Sequence, residues 1–353
     1  MNQLLKFVNT GVARLARYIV CAFLSIVAVS LPHVSGAKDE PTAIVDPAWG
    51  VYARPQRLVR LADGRAINLY CLGHGVPTVV LDAGWGDSAV VWRKVHSSLA
   101  KHSQVCAFDR AGYGFSDPGP LPRDAEHIAK DMKGMFGAAG LKPPYVLVGH
   151  SLGGLNVRYY ADLHPQEIAG MVLVEPATEH QDKRIIQVLP AIGELFKQQR
   201  AGVQACLDRL EGRAKSGAQL DEMCKAQPLP DLPAEVNAAA AALDAKPDHL
   251  RTELSEFDGI LGPSSDQVAA ARRSYGALPL IVLTGGAPVL PGLSPADVQK
   301  LLGLIKQMHG ELASLSTRGV DRMVPGSGHY VQIDAPQAVI DAVSEVVAEV
   351  AAR

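Results

Sequence analysis

Tyr145-Val146-Leu147-Val148-Gly149-His150-Ser151-Leu152-Gly153 is the stretch on which the fold turns. Its first four residues form a short apolar run of the kind that is buried on both faces of a parallel sheet. A helical pattern opens at Leu152. A Gly-x-Ser-x-Gly motif alone arises easily by chance in a glycine-rich chain; a strand before it and a helix after it give it meaning. A sharp turn from strand to helix strains the serine backbone and crowds its neighbours, so both flanking positions call for glycine. The same turn lifts the Ser151 hydroxyl clear of the sheet edge and aims the positive end of the helix at it.

Outward from this point the chain alternates. Upstream, 57–61 and 66–71 read as two strands joined by a turn at 62–65. Thr78-Val79-Val80-Leu81 is a strand that runs into Asp82-Ala83-Gly84-Trp85-Gly86. A helix is predicted over 88–100, a strand over 104–108, and a helix over 123–139 with Met132, Met135 and Phe136 on its apolar side. Downstream come a helix over 152–163 and a strand over 168–174. The rhythm then breaks. Residues 178–277 are rich in Ala, Lys, Glu, Asp and Gln, with a Pro-rich joint at 228–233 and helical patterning throughout. Strand pattern resumes at 278–283, followed by a helix over 295–314, a strand ending near Val324, and a last amphipathic helix from Pro336 onward. Repeated strand–helix alternation predicts a wound α/β sheet. The organisation is therefore a sheet domain in two parts, 38–177 and 278–353, interrupted by a helical insertion over 178–277.

The first 37 residues have another character. Lys6, Arg14 and Arg17 give a positive start, 18–31 is almost wholly apolar, and Val34-Ser35-Gly36-Ala37 supplies small residues at a cleavage site. This is the layout of a secretory signal peptide, with an uncleaved N-terminal anchor as the alternative. Export to a periplasm or the outside follows. The cysteines after position 37 are Cys71, Cys106, Cys206 and Cys224. An even number in an oxidising compartment suggests two disulfides, with three connectivities open, against the alternative of four buried thiols. The net charge of −2 and the lack of a basic stripe argue against nucleic acid as a partner. No stable membrane insertion is expected after signal cleavage. No metal or cofactor motif is present.

The motif around Ser151, together with Asp82-Ala83-Gly84-Trp85-Gly86, Asp109-Arg110-Ala111-Gly112-Tyr113-Gly114-Phe115-Ser116 and Gly326-Ser327-Gly328-His329, resembles the α/β-hydrolase fold family. The likeness covers about 57–177 and 278–353. It implies a mostly parallel eight-stranded sheet flanked by helices, with 178–277 as a helical cap. The family usually has His-Gly where this chain has Ala83-Gly84. In the sheet order that the resemblance implies, the strand ending at Cys71 lies beside the one holding Cys106. That points to Cys71–Cys106, leaving Cys206–Cys224 inside the cap.

A serine hydroxyl needs a base to become a nucleophile. His329 stands at the family's position for it, in a small-residue turn after the last strand, whereas the side chain of His150 should project away from Ser151. The acid that orients the base usually follows the strand ending at Leu283, but 284–296 holds no carboxylate. The other position used in this fold is the end of the preceding strand, which is Glu175; Glu179, Asp182 and Asp297 are the fallbacks. Asp297 reads more simply as part of a capped helix start. Two backbone donors, the N–H groups of Trp85 and Leu152, would stabilise an oxyanion. The Trp85 side chain is either a pocket wall or a buried packing group. Asp109 and Arg110 read as a structural turn whose charges pair locally. Leu189, Ile192, Leu195 and Phe196 could line an acyl pocket but fit simple packing better.

Ser at 151, where haloalkane dehalogenases and epoxide hydrolases carry a carboxylate nucleophile, points to acyl transfer to water. A carboxylic ester is the expected small-molecule substrate. Amide, lactone and carbon–carbon bond hydrolysis, and transfer to an alcohol, share the same machinery. The rival of another class is a catalytically silent binding protein built on the fold.

Overall fold

The structure is a computed structural model and describes residues 45–352 apart from 102, 216 and 288–291. The expected signal segment, 1–37, lies outside the described residues. Eight strands form one sheet: β1 (Arg57–Arg60), β2 (Ala66–Leu72), β3 (Thr78–Asp82), β4 (Val105–Phe108), β5 (Tyr145–His150), β6 (Ile168–Val174), β7 (Leu280–Gly285) and β8 (Gly319–Val324). Their order is β1-β2-β4-β3-β5-β6-β7-β8, and β2 alone runs against the others.

Strand residues alternate between two cores, as a period of two requires. Val80, Leu147, Leu173 and Val282 face one side and Val79, Val146, Val172 and Ile281 the other. On the second face lie α1 (Arg93–Leu99), through Val95 and Leu99, and the C-terminal helix Pro336–Ala351, through Val339, Val343 and Val346. The first face is covered by α2 (Ala125–Ala139) and α3 (Leu152–Leu163), with Ile128, Met132, Met135 and Phe136 of α2 buried there. Asp124 caps α2, accepting the His127 N–H at 3.1 Å, and Gly140 ends it at φ 68°. The single helix expected over 88–100 is instead a 3-10 turn, Ala89–Trp92, followed by α1. The Asp109 carboxylate takes the Ala89 N–H at 2.9 Å and anchors this turn to the sheet.

Between β6 and β7 lie α4 (Gln181–Val188), α5 (Ala191–Leu210), α6 (Ala218–Met223), α7 (Ala234–Asp244), α8 (Pro247–Ile260) and α9 (Pro263–Ala271), with no strand among the described residues. Ile192, Phe196, Val203, Leu254 and Phe257 join this insertion to the first core. After β7 come α10 (Pro295–Ala313), the short α11 (Val331–Asp334) beyond β8, and then α12 (Pro336–Ala351). No described helix is long and apolar enough to cross a membrane.

Disulfides join Cys71 to Cys106 and Cys206 to Cys224. The first pair is directly opposed in the β2–β4 register, and the second ties α5 to the end of α6. The loops that leave the carboxyl ends of β3, β5, β6, β7 and β8 gather at one edge of the sheet, where ligands bind in open α/β sheets.

Candidate active site

Ser151 sits between β5 and α3 at φ 52° and ψ −118°. That region is costly for a residue with a side chain and persists only where the surroundings impose it. Here they do. The Ser151 N–H donates to Val174 O at 3.1 Å, and Ser151 O accepts the N–H groups of Gly154 and Ala177, both at 2.9 Å. The two motif glycines are required by close approach. A Cβ on Gly149 would lie 2.4 Å from Gly153 O, and one on Gly153 would lie 2.4 Å from Asp82 O. Leu152 is the first residue of α3, so its amide has no carbonyl within the helix to bond.

Ser151 opens onto a cavity of about 100 Å³ that Trp85, Glu175, His309 and His329 also line. The Nε2 of His329 is buried there without a hydrogen-bond partner, and burial pushes its pKa down to about 4. The loop that carries it is tightly held. Gly328 N–H donates to Asp334 Oδ2 at 2.9 Å, Ala287 N–H donates to Ser327 O at 2.9 Å, and a Cβ on Gly285 would lie 2.4 Å from Gly328 O. His150 is buried completely, and its Nε2 lies 3.0 Å from the backbone carbonyl of His329, so the ring turns away from Ser151 and supports the loop. Burial holds His150 far below the usual histidine range, so Nε2 carries the single ring proton and donates it to that carbonyl.

Glu175 follows β6 at φ 44°, with its N–H on Leu283 O at 2.8 Å. Its Oε2 accepts the Gly285 N–H at 2.8 Å. Burial pushes its pKa up to about 8, the Gly285 bond opposes this, and Asp321 adds to the rise. None of the three fallback acids lines the cavity. Glu179 is paired with Arg158 at 2.9 and 3.0 Å, Asp182 sits in the first turn of α4, and Asp297 lies at the start of α10, bonded to Ser294 and Lys300. Of the four apolar residues weighed for an acyl pocket, Phe196 alone lines it; Leu189 and Ile192 are core, and Leu195 packs against them. The Trp85 ring is buried against Phe257 at 5.2 Å between centroids, and its indole N–H donates to Glu253 O at 2.7 Å.

Sequence reasoning missed two features. His309, on α10, packs beside Glu175, with Nδ1 3.9 Å from Glu175 Oε2 and Nε2 3.0 Å from Pro176 O. Thr284 Oγ1 bridges His309 Nδ1, at 2.8 Å, and Asp321 Oδ1, at 2.6 Å. A lone histidine on an amphipathic helix carries no signal of such a place. The second is a correction. The segment is a turn as expected, with the Tyr113 N–H on Arg110 O at 2.9 Å, but its charges do not pair only locally. Asp109 takes the Asn68 side chain and the N–H groups of Ala89 and Phe115, whereas buried Arg110 reaches Asp82 and Glu256.

The family profile described as alpha/beta hydrolase fold matches residues 77–243. The uncharacterized protein YbdG of Bacillus subtilis is 31% identical over 115 residues, 32% of this chain and 35% of its own length. The chain spans between 16% and 40% of the length of the first curated relatives it matches. Among solved structures, a haloalkane dehalogenase loop variant from Bradyrhizobium elkanii superposes with a TM-score of 0.64 at 19% identity, covering 84% of this chain and 97% of that one. A thermophilic esterase from Thermogutta terrifontis superposes with a TM-score of 0.55 at 18% identity, covering 84% and 99%. With its eight-stranded, mostly parallel sheet, the helices on both faces and the strand–serine–helix turn at Ser151, the chain has the α/β-hydrolase fold.

Proposed function

We propose that the protein is an exported serine hydrolase that cleaves carboxylic esters through an acyl-Ser151 intermediate. The observation that carries this reading is the strained Ser151 backbone at the mouth of a cavity shared with His329 and Glu175. His329 is the general base. Its Nε2 has no competing hydrogen-bond partner, and a pKa near 4 keeps it unprotonated at neutral pH. Glu175 is the acid that orients it: Oε2 is held by Gly285, and the other carboxylate oxygen is the one we assign to the imidazole.

In this reading Ser151 Oγ attacks the ester carbonyl as its proton passes to His329. The carbonyl oxygen becomes an oxyanion facing the N–H groups of Trp85 and Leu152. Collapse breaks the bond to the alkoxy oxygen, which takes the proton from His329 and leaves as alcohol. Water then gives a proton to His329, attacks the acyl carbon, and the acid leaves with Ser151 restored. The small cavity, walled by Phe196, Ile185, Leu301, Ile305 and Met308, favours a short apolar acyl group. Two disulfides among the described residues support an oxidising compartment. An amide, lactone or carbon–carbon bond would use the same residues.

The test is hydrolysis of p-nitrophenyl esters from acetyl to palmitoyl by the wild type and by Ser151→Ala. Turnover that is greatest for the shortest chains and absent in the variant is expected. Turnover surviving in Ser151→Ala would remove Ser151 from the mechanism. No turnover, with no labelling of Ser151 by a fluorophosphonate, would turn the reading toward a binding protein.

A further inference from the structure

We propose that Glu256, on helix α8 of the insertion, is a positioning residue for the Trp85 backbone N–H and acts through Arg110. This rests on the oxyanion-stabilising role given to that N–H above. The peptide joining Gly84 to Trp85 is planar, so its carbonyl and its N–H point in opposite directions. Whatever holds Gly84 O therefore aims the Trp85 N–H. Arg110 holds it: Nη2 donates to Gly84 O at 2.7 Å, and Nη1 donates to the preceding carbonyl, Ala83 O, at 2.6 Å.

The guanidinium has five N–H donors in a rigid plane, and all five are used. Besides the two carbonyls, Nη1 donates to Asp82 Oδ1 at 2.8 Å, while Nε and Nη2 make a bidentate pair with Glu256 at 2.8 and 2.9 Å. Glu256 and Asp82 are wholly buried and Arg110 nearly so. Tyr113 fixes the glutamate in turn, its hydroxyl donating to Oε2 at 2.9 Å. The far side of the loop is closed as well, since a Cβ on Gly84 would lie 2.8 Å from His150 Nδ1. The fork cannot rotate or slide without breaking a charged bond in a dry environment.

A buried ion pair that served stability alone would not need to grip two consecutive carbonyls of a functional loop. Nor would its carboxylate have to come from the insertion. Helix α8 in fact grips this loop twice, because Glu253 O accepts the Trp85 indole N–H. The seating of the insertion thus sets the geometry of the oxyanion donor, independently of any contact with substrate.

The test is the kinetics of Ser151 phosphonylation by a neutral fluorophosphonate, in which the Ser151 Oγ–P bond forms, fluoride leaves and the phosphoryl oxygen occupies the oxyanion position. The rate constant reports the site, and the labelled fraction at completion reports how much protein is folded. Glu256→Gln keeps the shape and loses the charge and one arm of the pair; a rate constant at least tenfold below wild type with an unchanged labelled fraction is expected. Tyr113→Phe, which leaves the ion pair intact, should fall between them, and it carries the test if Glu256→Gln does not fold. Unchanged rate constants with only a smaller labelled fraction would make the cluster structural and overturn the inference. A wild type that is not labelled, or is labelled away from Ser151, would overturn both this inference and the reading of the site.

Discussion

The Nε2–H of His150 donates to the backbone carbonyl of His329 at 3.0 Å, so the residue before the candidate nucleophile holds the loop that carries the candidate base. The two imidazole centroids are 4.8 Å apart, and Tyr330 packs on His150 at 5.0 Å. The spacing between Ser151 and His329 is therefore set from inside the elbow itself.

His150→Phe keeps a ring of similar size and removes the donor. The orphaned His329 carbonyl should cost about 1–3 kcal/mol of stability. The larger effect should be on chemistry, with kcat falling about a hundredfold, as expected for a base displaced by an ångström. Urea unfolding and ester kinetics measure the two; a fall in kcat no greater than the loss of folded protein would refute the positioning role.

The pH dependence of kcat/KM should show no acid limb near the ordinary histidine value. His329 is held near 4 by burial, so it stays neutral and able to accept a proton down to about that pH. Glu175 is raised to about 8, so its carboxyl is neutral below that pH and charged above it. A second rise near pH 8 should follow, and it should vanish in Glu175→Gln. A single limb at pH 6.5 would contradict both assignments.

Stability should respond to the same carboxyl. Its pKa is about 8 folded against 4.5 for an ordinary glutamate, so the folded state binds the proton more tightly and loses stability as pH climbs from about 4.5 to about 8. Glu175→Gln lacks this loss. It should match wild type near pH 4 and exceed it by an amount on the order of 4 kcal/mol above pH 8. Denaturation midpoints at the two ends of the range decide it; a constant difference would show that Glu175 does not titrate as described.

Two glycines should respond in opposite ways to alanine. Gly153→Ala drives a Cβ against the Asp82 carbonyl, where only backbone movement can relieve it, and should cost at least about 3 kcal/mol. Gly137→Ala lies in α2 with nothing within 4 Å of the new Cβ and should stabilise by about 0.5–1 kcal/mol. Melting of the purified variants, or failure of Gly153→Ala to accumulate, distinguishes them.

Much of this architecture was legible because it is periodic. The apolar runs at Thr78–Asp82 and Tyr145–His150 are buried end to end, and helix Leu152–Leu163 begins and ends where its pattern does. Ser151, Glu175 and His329 could be singled out because each closes a strand or the loop after it, and the structure puts all three on one cavity. The clusters around Arg110 and His309 were not. Arg110 and Glu256 are 146 residues apart and meet only when the insertion is seated, and periodicity carries no information about such a meeting. The 88–100 segment was misread for a related reason. Its hydrophobic pattern is helical, but the Asp109 carboxylate, also distant in sequence, takes the amide of Ala89.

The insertion leaves the sheet after β6 and returns at β7, and these two strands are hydrogen-bonded neighbours. Because the two strands are parallel, the insertion leaves at the carboxyl edge of the sheet and must cross to the opposite edge before β7 begins, so it serves as the crossover connection, and any length beyond what that crossing needs does not enter the register. A segment of another length that still makes this crossing would leave the strands undisturbed. The Arg110 contact sets one condition on such an exchange. A grafted segment must bring a carboxylate to the place of Glu256, or else leave the buried Arg110 cation without that partner beneath the loop that carries Trp85.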